Sequence, residues 1–192
     1  MYSIVDLEAT GGKFNEESII EIAIYKYDGE KVIDQFISLV KPDKEISPYV
    51  EKLTGIDAKM VKTAPVFSEL AKRIIEITDS TILVAHNAQF DYRLLQIEFD
   101  RLGYEYIKES LCTVILSQKL LPNQESYKLG KLVKSLGIPL SQRHRASGDA
   151  KATVELFKLL IQKDIDKQII SKNIVTYLGQ NVRTVFSKII ED

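Results

Sequence analysis

The sequence predicts an α/β domain, with a mixed five-stranded sheet of three antiparallel strands followed by parallel ones and helices on its faces. Three observations predict it. Three β-rich runs open the chain, separated by turn signals. From Ser47 onward apolar residues recur at helical spacing. Two short apolar runs, at Thr81 to Ala85 and around Leu111-Cys112-Thr113, then interrupt the helical pattern.

Each element follows from its residues. Ser3 to Leu7 reads as a buried strand, broken by Gly11-Gly12. Ile20, Ile22 and Ile24 alternate with Glu21, Ala23 and Tyr25, which is a strand pattern. Asp28-Gly29 signals a hairpin into Val32 to Val40, which ends before Lys41-Pro42. The helical pattern from Ser47 is interrupted by Thr54-Gly55-Ile56-Asp57. Pro65 suits the first turn of a helix to about Thr78, with Val66, Leu70, Ile74 and Ile77 as its buried stripe. After the strand at Thr81 to Ala85, a helix starts at Asn87 or Ala88 and closes at Gly103. Further helices are expected at Thr113 to Leu121, Lys128 to Leu136 and Ala146 to Gln162. The domain therefore spans residues 1–163. Residues 164–192 form an extension whose Ile165, Ile169, Ile170, Ile174, Val182, Val185, Phe186 and Ile189 predict a helix interrupted at Gly179.

Composition narrows the function. A chain of 192 residues, 45% hydrophobic and 28% charged, suits one globular domain with a sizeable core. No apolar run approaches the ~20 residues that cross a bilayer, and no basic-then-apolar leader opens the chain. A cytoplasmic protein without a membrane role is expected. The lone Cys112 permits no internal disulfide, which suits a reducing compartment. A formal net charge of −1 excludes a strongly basic field for coating duplex nucleic acid. It leaves room for local handling through metal ions and a few cations.

Three segments carry candidate chemistry. In Tyr2 to Thr10, Asp6 and Glu8 share one face of the first strand, because strand side chains repeat every second residue. Two adjacent carboxylates repel and lose hydration on burial, and a divalent cation relieves both costs. An ordinary solvated strand end is the other reading. In Ala85 to Asp91, Asp91 lies in the first turn of a helix after a strand; it either serves a site or complements the helix dipole. Asn87 reads as a ligand or as an N-cap. In Gln142 to Ala150, His144 precedes Asp149 by five residues, and Asp149 faces inward on an apolar helix where an acid needs a partner. His144 alone also reads as an exposed histidine in a basic loop. Together these segments offer four carboxylates and one imidazole, each at a strand end or helix start. Hard oxygen ligands select Mg²⁺ or Mn²⁺, and no cysteine–histidine cluster suits zinc.

The ordered motifs Asp6-x-Glu8, His86-Asn87-x-x-Phe90-Asp91 and His144-x-x-x-x-Asp149 resemble those of the DEDDh 3′–5′ exonucleases. These are DnaQ-like enzymes with an RNase H-like fold, among them the proofreading subunits and domains of bacterial replicative polymerases. Thr10, Thr54-Gly55-Ile56, Ala64-Pro65 and Leu129-Gly130-x-Leu132 add softer similarity. The resemblance implies two Mg²⁺ or Mn²⁺ ions. It assigns Asp6 to both, Glu8 and Asp149 to the water-activating one, Asp91 to the other, and His144 as general base. It implies a pocket for the terminal nucleotide near the first motif, for which Thr10, Leu53, Ile56 and Phe90 are candidates; Asn87 either joins them or orients Asp91. Arg143 and Arg145 flank the base within reach of phosphates, and Lys128, Lys131 and Lys134 form either a basic stripe or a solvated helix face. The implied activity is release of nucleoside 5′-monophosphates from a 3′ end, of single-stranded DNA first. RNA 3′-end trimming and a non-catalytic nucleic-acid-binding module are the alternatives. The implied partner is a DNA polymerase subunit or a fused second domain.

Overall fold

The computed structural model describes residues 1–176, which build one sheet in the order β3-β2-β1-β4-β5-β6. β1 (Tyr2–Ala9), β2 (Ile19–Tyr27) and β3 (Val32–Leu39) form an antiparallel meander. β4 (Ile82–Ala85) lies parallel to β1, and β5 (Glu109–Cys112) lies parallel to β4. The expected sequence of antiparallel then parallel strands is thus present. The expected number of five is corrected to six: β6 (Val175–Thr176) adds antiparallel to β5. A two-residue strand is too short to carry an alternating pattern, so no sequence signal marks it.

The sheet is covered on both faces because β1 and β2 alternate their buried side chains. Val5, Leu7, Ile22 and Ile24 join a core with residues of α3 (Phe67–Thr78) and α4 (Ala88–Arg101). Ile4, Ala23 and Tyr25 join a second core with α5 (Thr113–Leu120), α6 (Leu129–Ser135) and α7 (Ala146–Lys163). Phe157 of α7 is fully enclosed and meets the Tyr2 ring edge-on at 4.9 Å. Truncating such a residue to alanine costs about 3–5 kcal/mol.

Local chemistry sets the boundaries. Ser47 caps α1 (Pro48–Thr54), its Oγ accepting from Val50 N–H at 3.3 Å, and left-handed Gly55 closes it. Asp57 caps α2 (Ala58–Val61), accepting from Met60 N–H at 2.8 Å. α3 begins at Phe67 because Val66 is still extended, with the Glu69 carboxylate taking the Val66 N–H. Beyond α7, buried Asp164 accepts the N–H groups of Ile169 and Ile170 and starts α8 (Gln168–Lys172). Ile170 is buried in the second core and Val175 packs at the sheet edge, so the stretch after Lys163 is part of the fold as far as Thr176. Gly179, Val182, Val185, Phe186 and Ile189, expected on a helix, lie outside the described residues.

Candidate active site

β1 is central and carries Asp6 and Glu8 on its α7-facing side, at the end where β4 has stopped pairing. Opposite Asp6 stands Ala23, whose small side chain leaves room; opposite Glu8 stands Glu21. α7 crosses this face and brings Asp149, in its first turn, onto the pair. One carboxylate oxygen from each of Asp6, Glu8 and Asp149 lies within 4.8 Å of the others. Asp91 enters from the first turn of α4, on the opposite layer. Its Oδ1 accepts the Leu7 N–H at 2.9 Å, beyond the last β1–β4 pair, between the two acids of β1. Three segments distant in sequence therefore put four carboxylates at one strand end.

The electrostatics follow from that crowding. Burial, and then the charges of Asp91, Asp149, Glu8 and Glu21, push the Asp6 carboxyl well above the usual carboxylate range. Burial, Asp149 and Glu21 raise Glu8 to about 7, against the opposing charge of Arg145. Burial raises Asp91, although the Leu7 N–H favours its anion. Burial also raises Asp149, opposed by the N–H and charge of His144. Glu8, raised to about 7, shares its site with a proton near neutral pH unless a cation replaces it. The donor set consists of carboxylate oxygens, which suits a hard divalent cation.

His144 sits before α7 in the left-handed backbone region (φ 60°), with its N–H donated to Asp149 Oδ2 at 2.9 Å. It is half-buried, and its ring makes no hydrogen bond among the described residues. Its neighbours are less free than the sequence suggested. Arg145 does not point to solvent: its Nε and Nη2 are donated to the carboxylate of Glu21, which also accepts the Ala146 N–H at 2.8 Å. Arg143 folds over Gly130 of α6, where an added Cβ would meet its guanidinium at 2.9 Å. Lys128, Lys131 and Lys134 are exposed around α6.

The proposed nucleotide pocket fares differently. Thr10 and Ile56 are fully enclosed. Thr10 Oγ1 accepts from Ser18 N–H and donates to Gly11 O, while Ile56 packs with Ile20 and Val61. Both therefore shape the chain beneath the site and present no surface to a ligand. Leu53 is 38% exposed, and Phe90 is half-buried against the α3–α4 core. Asn87 occupies the α4 N-cap position in left-handed backbone with no side-chain cap bond. Its side chain is exposed and unspent on the helix.

Two residues went unassigned. His86 is clamped between Thr113 Oγ1 (3.0 Å) and the Tyr127 carbonyl (2.8 Å), and burial lowers it to about 4. It is neutral near pH 7, with Nε2 carrying the proton because a carbonyl faces it. Glu21 is only 2% exposed on a strand whose neighbours are isoleucines. Alternation with Ile20 and Ile22 puts it on the other face of β2, so no sequence signal marks it as buried.

Known proteins are similar to this chain in sequence and fold. A family model described as "Exonuclease" (RNase_T) matches residues 3–157. The PolC-type DNA polymerase III of Caldanaerobacter subterraneus subsp. tengcongensis is 37% identical over 162 residues, covering 84% of this chain and 12% of that protein. The 3′-5′ exonuclease DinG of Staphylococcus saprophyticus is 33% identical over 183 residues, covering 95% of this chain and 20% of that protein. The chain thus spans a fifth or less of these relatives. Exonuclease X, solved with 5′ overhanging duplex DNA, superposes with a TM-score of 0.71 at 29% identity, over 85% of this chain and 93% of that one. The nuclease domain of 3′hExo, a DEDDh family member, shares the fold with a TM-score of 0.75 at 19% identity, over 92% of this chain and 96% of that one. With the family match running from β1 into α7, the chain belongs to the RNase_T exonuclease family, and the mixed sheet is matched by these structures.

Proposed function

We propose that the chain is a divalent-metal-dependent 3′–5′ exonuclease that releases nucleoside 5′-monophosphates from the 3′ end of single-stranded DNA. The observation that carries the reading is the meeting of Asp6, Glu8 and Asp149, with Asp91 bound to the backbone between the first two. DNA is favoured because the PolC-type and DinG relatives, and Exonuclease X with its bound duplex, are similar to this chain at 29–37% identity. The PolC likeness also supports a proofreading role beside a polymerase, supplied by a separate subunit or a fused domain. Cytoplasmic placement suits the lone Cys112; among the described residues no helix is long and apolar enough to cross a membrane. We assign residues 1–163 to the exonuclease domain and 164–192 to an extension, of which α8 and β6 already lean on the domain.

Asp6, Glu8, Asp91 and Asp149 would hold two Mg²⁺ or Mn²⁺ ions, Glu8 and Asp149 with Asp6 at the water-activating one and Asp91 with Asp6 at the other. When bound, such ions offset the phosphate charge and make water a stronger nucleophile. The chain's own groups do the rest. Asp149 holds the His144 backbone through its N–H, tying the residue that carries the imidazole to one of the acids. His144 takes a proton from the attacking water, whose oxygen forms the new bond to phosphorus. The bond from phosphorus to the 3′ oxygen breaks, and that oxygen leaves to become the 3′-hydroxyl of the shortened strand. Leu53, Phe90 and Asn87 are the pocket candidates that remain accessible.

One assay tests the reading: hydrolysis of matched 5′-labelled DNA and RNA oligonucleotides with Mg²⁺ or Mn²⁺. Asp6→Ala is expected to reduce cleavage to background. His144→Ala is expected to lower turnover by ~10²–10⁴ while metal binding persists. Parental cleavage by Asp6→Ala would sink the mechanism. Faster RNA than DNA hydrolysis would move the substrate, and no hydrolysis with either metal would leave a binding module. A chain ending at Lys163, run in parallel, tests the domain assignment.

A further inference from the structure

We infer that Glu21 is a positioning residue for His144, an inference that rests on the reading of His144 as proton acceptor. The loop carrying His144 needs holding. Ser141, Gln142 and Arg143 are exposed, and both Gln142 (φ 55°) and His144 (φ 60°) adopt left-handed backbone. Each such residue costs on the order of 1–2 kcal/mol unless its surroundings impose it.

Three contacts impose it. At Gly148 an added Cβ would lie 2.1 Å from Ser141 O and 2.5 Å from Gln142 O, so the loop rests directly on α7 backbone. Asp149 holds the His144 N–H. Glu21 holds the next two residues, through the guanidinium of Arg145 and the N–H of Ala146. The first two contacts belong to α7 itself and travel with it. Glu21 belongs to β2, directly opposite Glu8, so it ties the loop to the neighbour of β1, the strand that carries Asp6 and Glu8. It thereby fixes the residue that follows His144 relative to those acids, and with it the backbone from which the imidazole projects.

The chemistry of the contact is specific. Both Glu21 oxygens accept, one from Arg145 and the other from Arg145 and Ala146. A glutamine cannot keep this set, because its amide NH₂ would face a donor. Arg145 is likewise committed, and its charge balances Glu21 instead of reaching a substrate phosphate.

The test is a double-mutant cycle on the full chain, with single-turnover hydrolysis of labelled single-stranded DNA in Mg²⁺. Glu21→Gln in the parental background is expected to lower the hydrolysis rate by about 10–100-fold. The DNA concentration for half-maximal rate and the Mg²⁺ midpoint should stay within about twofold, as for a lost transition-state interaction. In the His144→Ala background the same substitution should cost less than about twofold, because the residue it positions is gone. Equal losses in both backgrounds would overturn the inference and make Glu21 a support for the acids or the fold. Parental turnover in His144→Ala alone would remove the base itself, which is a distinct failure that takes this inference with it. If Glu21→Gln does not fold, Arg145→Lys keeps the charge, drops the two-pronged contact, and enters the same cycle with the same outcomes.

Discussion

The molecule buries or half-buries two sets of acids and treats them in opposite ways. Glu17, Glu21 and Glu98 are 8%, 2% and 7% exposed, and Arg93, Arg145 and Arg101 pair with them in turn. Asp91 and Asp149 are 3% and 8% exposed, and no arginine or lysine pairs with them or with Asp6 and Glu8 among the described residues. Their partners are single backbone N–H groups, from Leu7 and His144. The outcome differs accordingly. Burial pushes Glu17 up, yet the hydrogen bonds and charge of Arg93 together with backbone hydrogen bonds outweigh it and bring the carboxyl below its ordinary value. For Glu98 burial still wins over Arg101. At Asp6, Glu8 and Asp91 neighbouring carboxylates add to burial, and all three rise, Glu8 to about 7. Burial alone therefore does not mark a site; burial with the counter-charge withheld does. The paired set fastens strands and loops to α4 and α7. The unpaired set holds a charge deficit that divalent ions are suited to fill.

The widest separation between the sets is expected from neutralising one member of each. Asp149→Asn should lower turnover at least as far as His144→Ala, by ~10²–10⁴ or more, since it removes a metal ligand and weakens the hold on the base. Its melting temperature in EDTA should hold or rise, because one mutually repelling charge has gone. A large fall in metal-free stability would place Asp149 with the structural acids. Arg93→Ala is the converse. It strands Glu17, which now accepts two bonds from Arg93 at 2.9 Å, and removes the guanidinium lying 4.3 Å from the Phe14 ring. Urea unfolding should show a loss of about 3 kcal/mol, with turnover of the folded protein changed only severalfold. A collapse in turnover at unchanged stability would erase the distinction.

Much of this was legible in the chain. The alternation in β1 and β2, the Asp28-Gly29 hairpin and the closing glycines placed the meander and the helices to within a few residues. The acids were legible because a strand period and two helix starts constrain direction as well as position. What sequence did not show depends on pairing across long separations. Glu21 sat on the polar side of an alternating strand, a pattern that ordinarily means solvent; only α7, folding back from residue 146, buries it. Arg145 looked like a free cation for the same reason. Thr10 and Ile56 are near the site along the chain yet lie beneath it, one stitched to Ser18 and the other inside a small core. The two histidines illustrate the limit most directly. Both stand beside helix starts, yet burial keeps His86 neutral with its ring held by the Tyr127 carbonyl, 41 residues on, while the His144 ring makes no hydrogen bond among the described residues.

The smallest expected effect is also the one that tests the unpaired set as a unit. Glu8 is raised in the folded chain to about 7 from 4.5. A carboxyl with a raised folded pKa binds more protons folded than unfolded across that window, so its share of stability is present below 4.5 and is lost as pH rises through about 7. In EDTA the melting temperature should therefore fall from pH 5 to pH 8, by the equivalent of on the order of 2 kcal/mol once solvent screening is allowed for. With Mg²⁺ the sign reverses. Ions compete with protons for the same oxygens, so added stability should grow with pH and reach about 2.7 kcal/mol at a hundredfold excess over Kd. Arg93→Ala should leave this reversal intact, whereas Asp149→Asn should blunt it. A melting temperature that climbs from pH 5 to 8 in EDTA, or that ignores Mg²⁺ at pH 8, would show that the four acids carry no shared deficit. The contrast with the arginine-paired glutamates would then reduce to geometry alone.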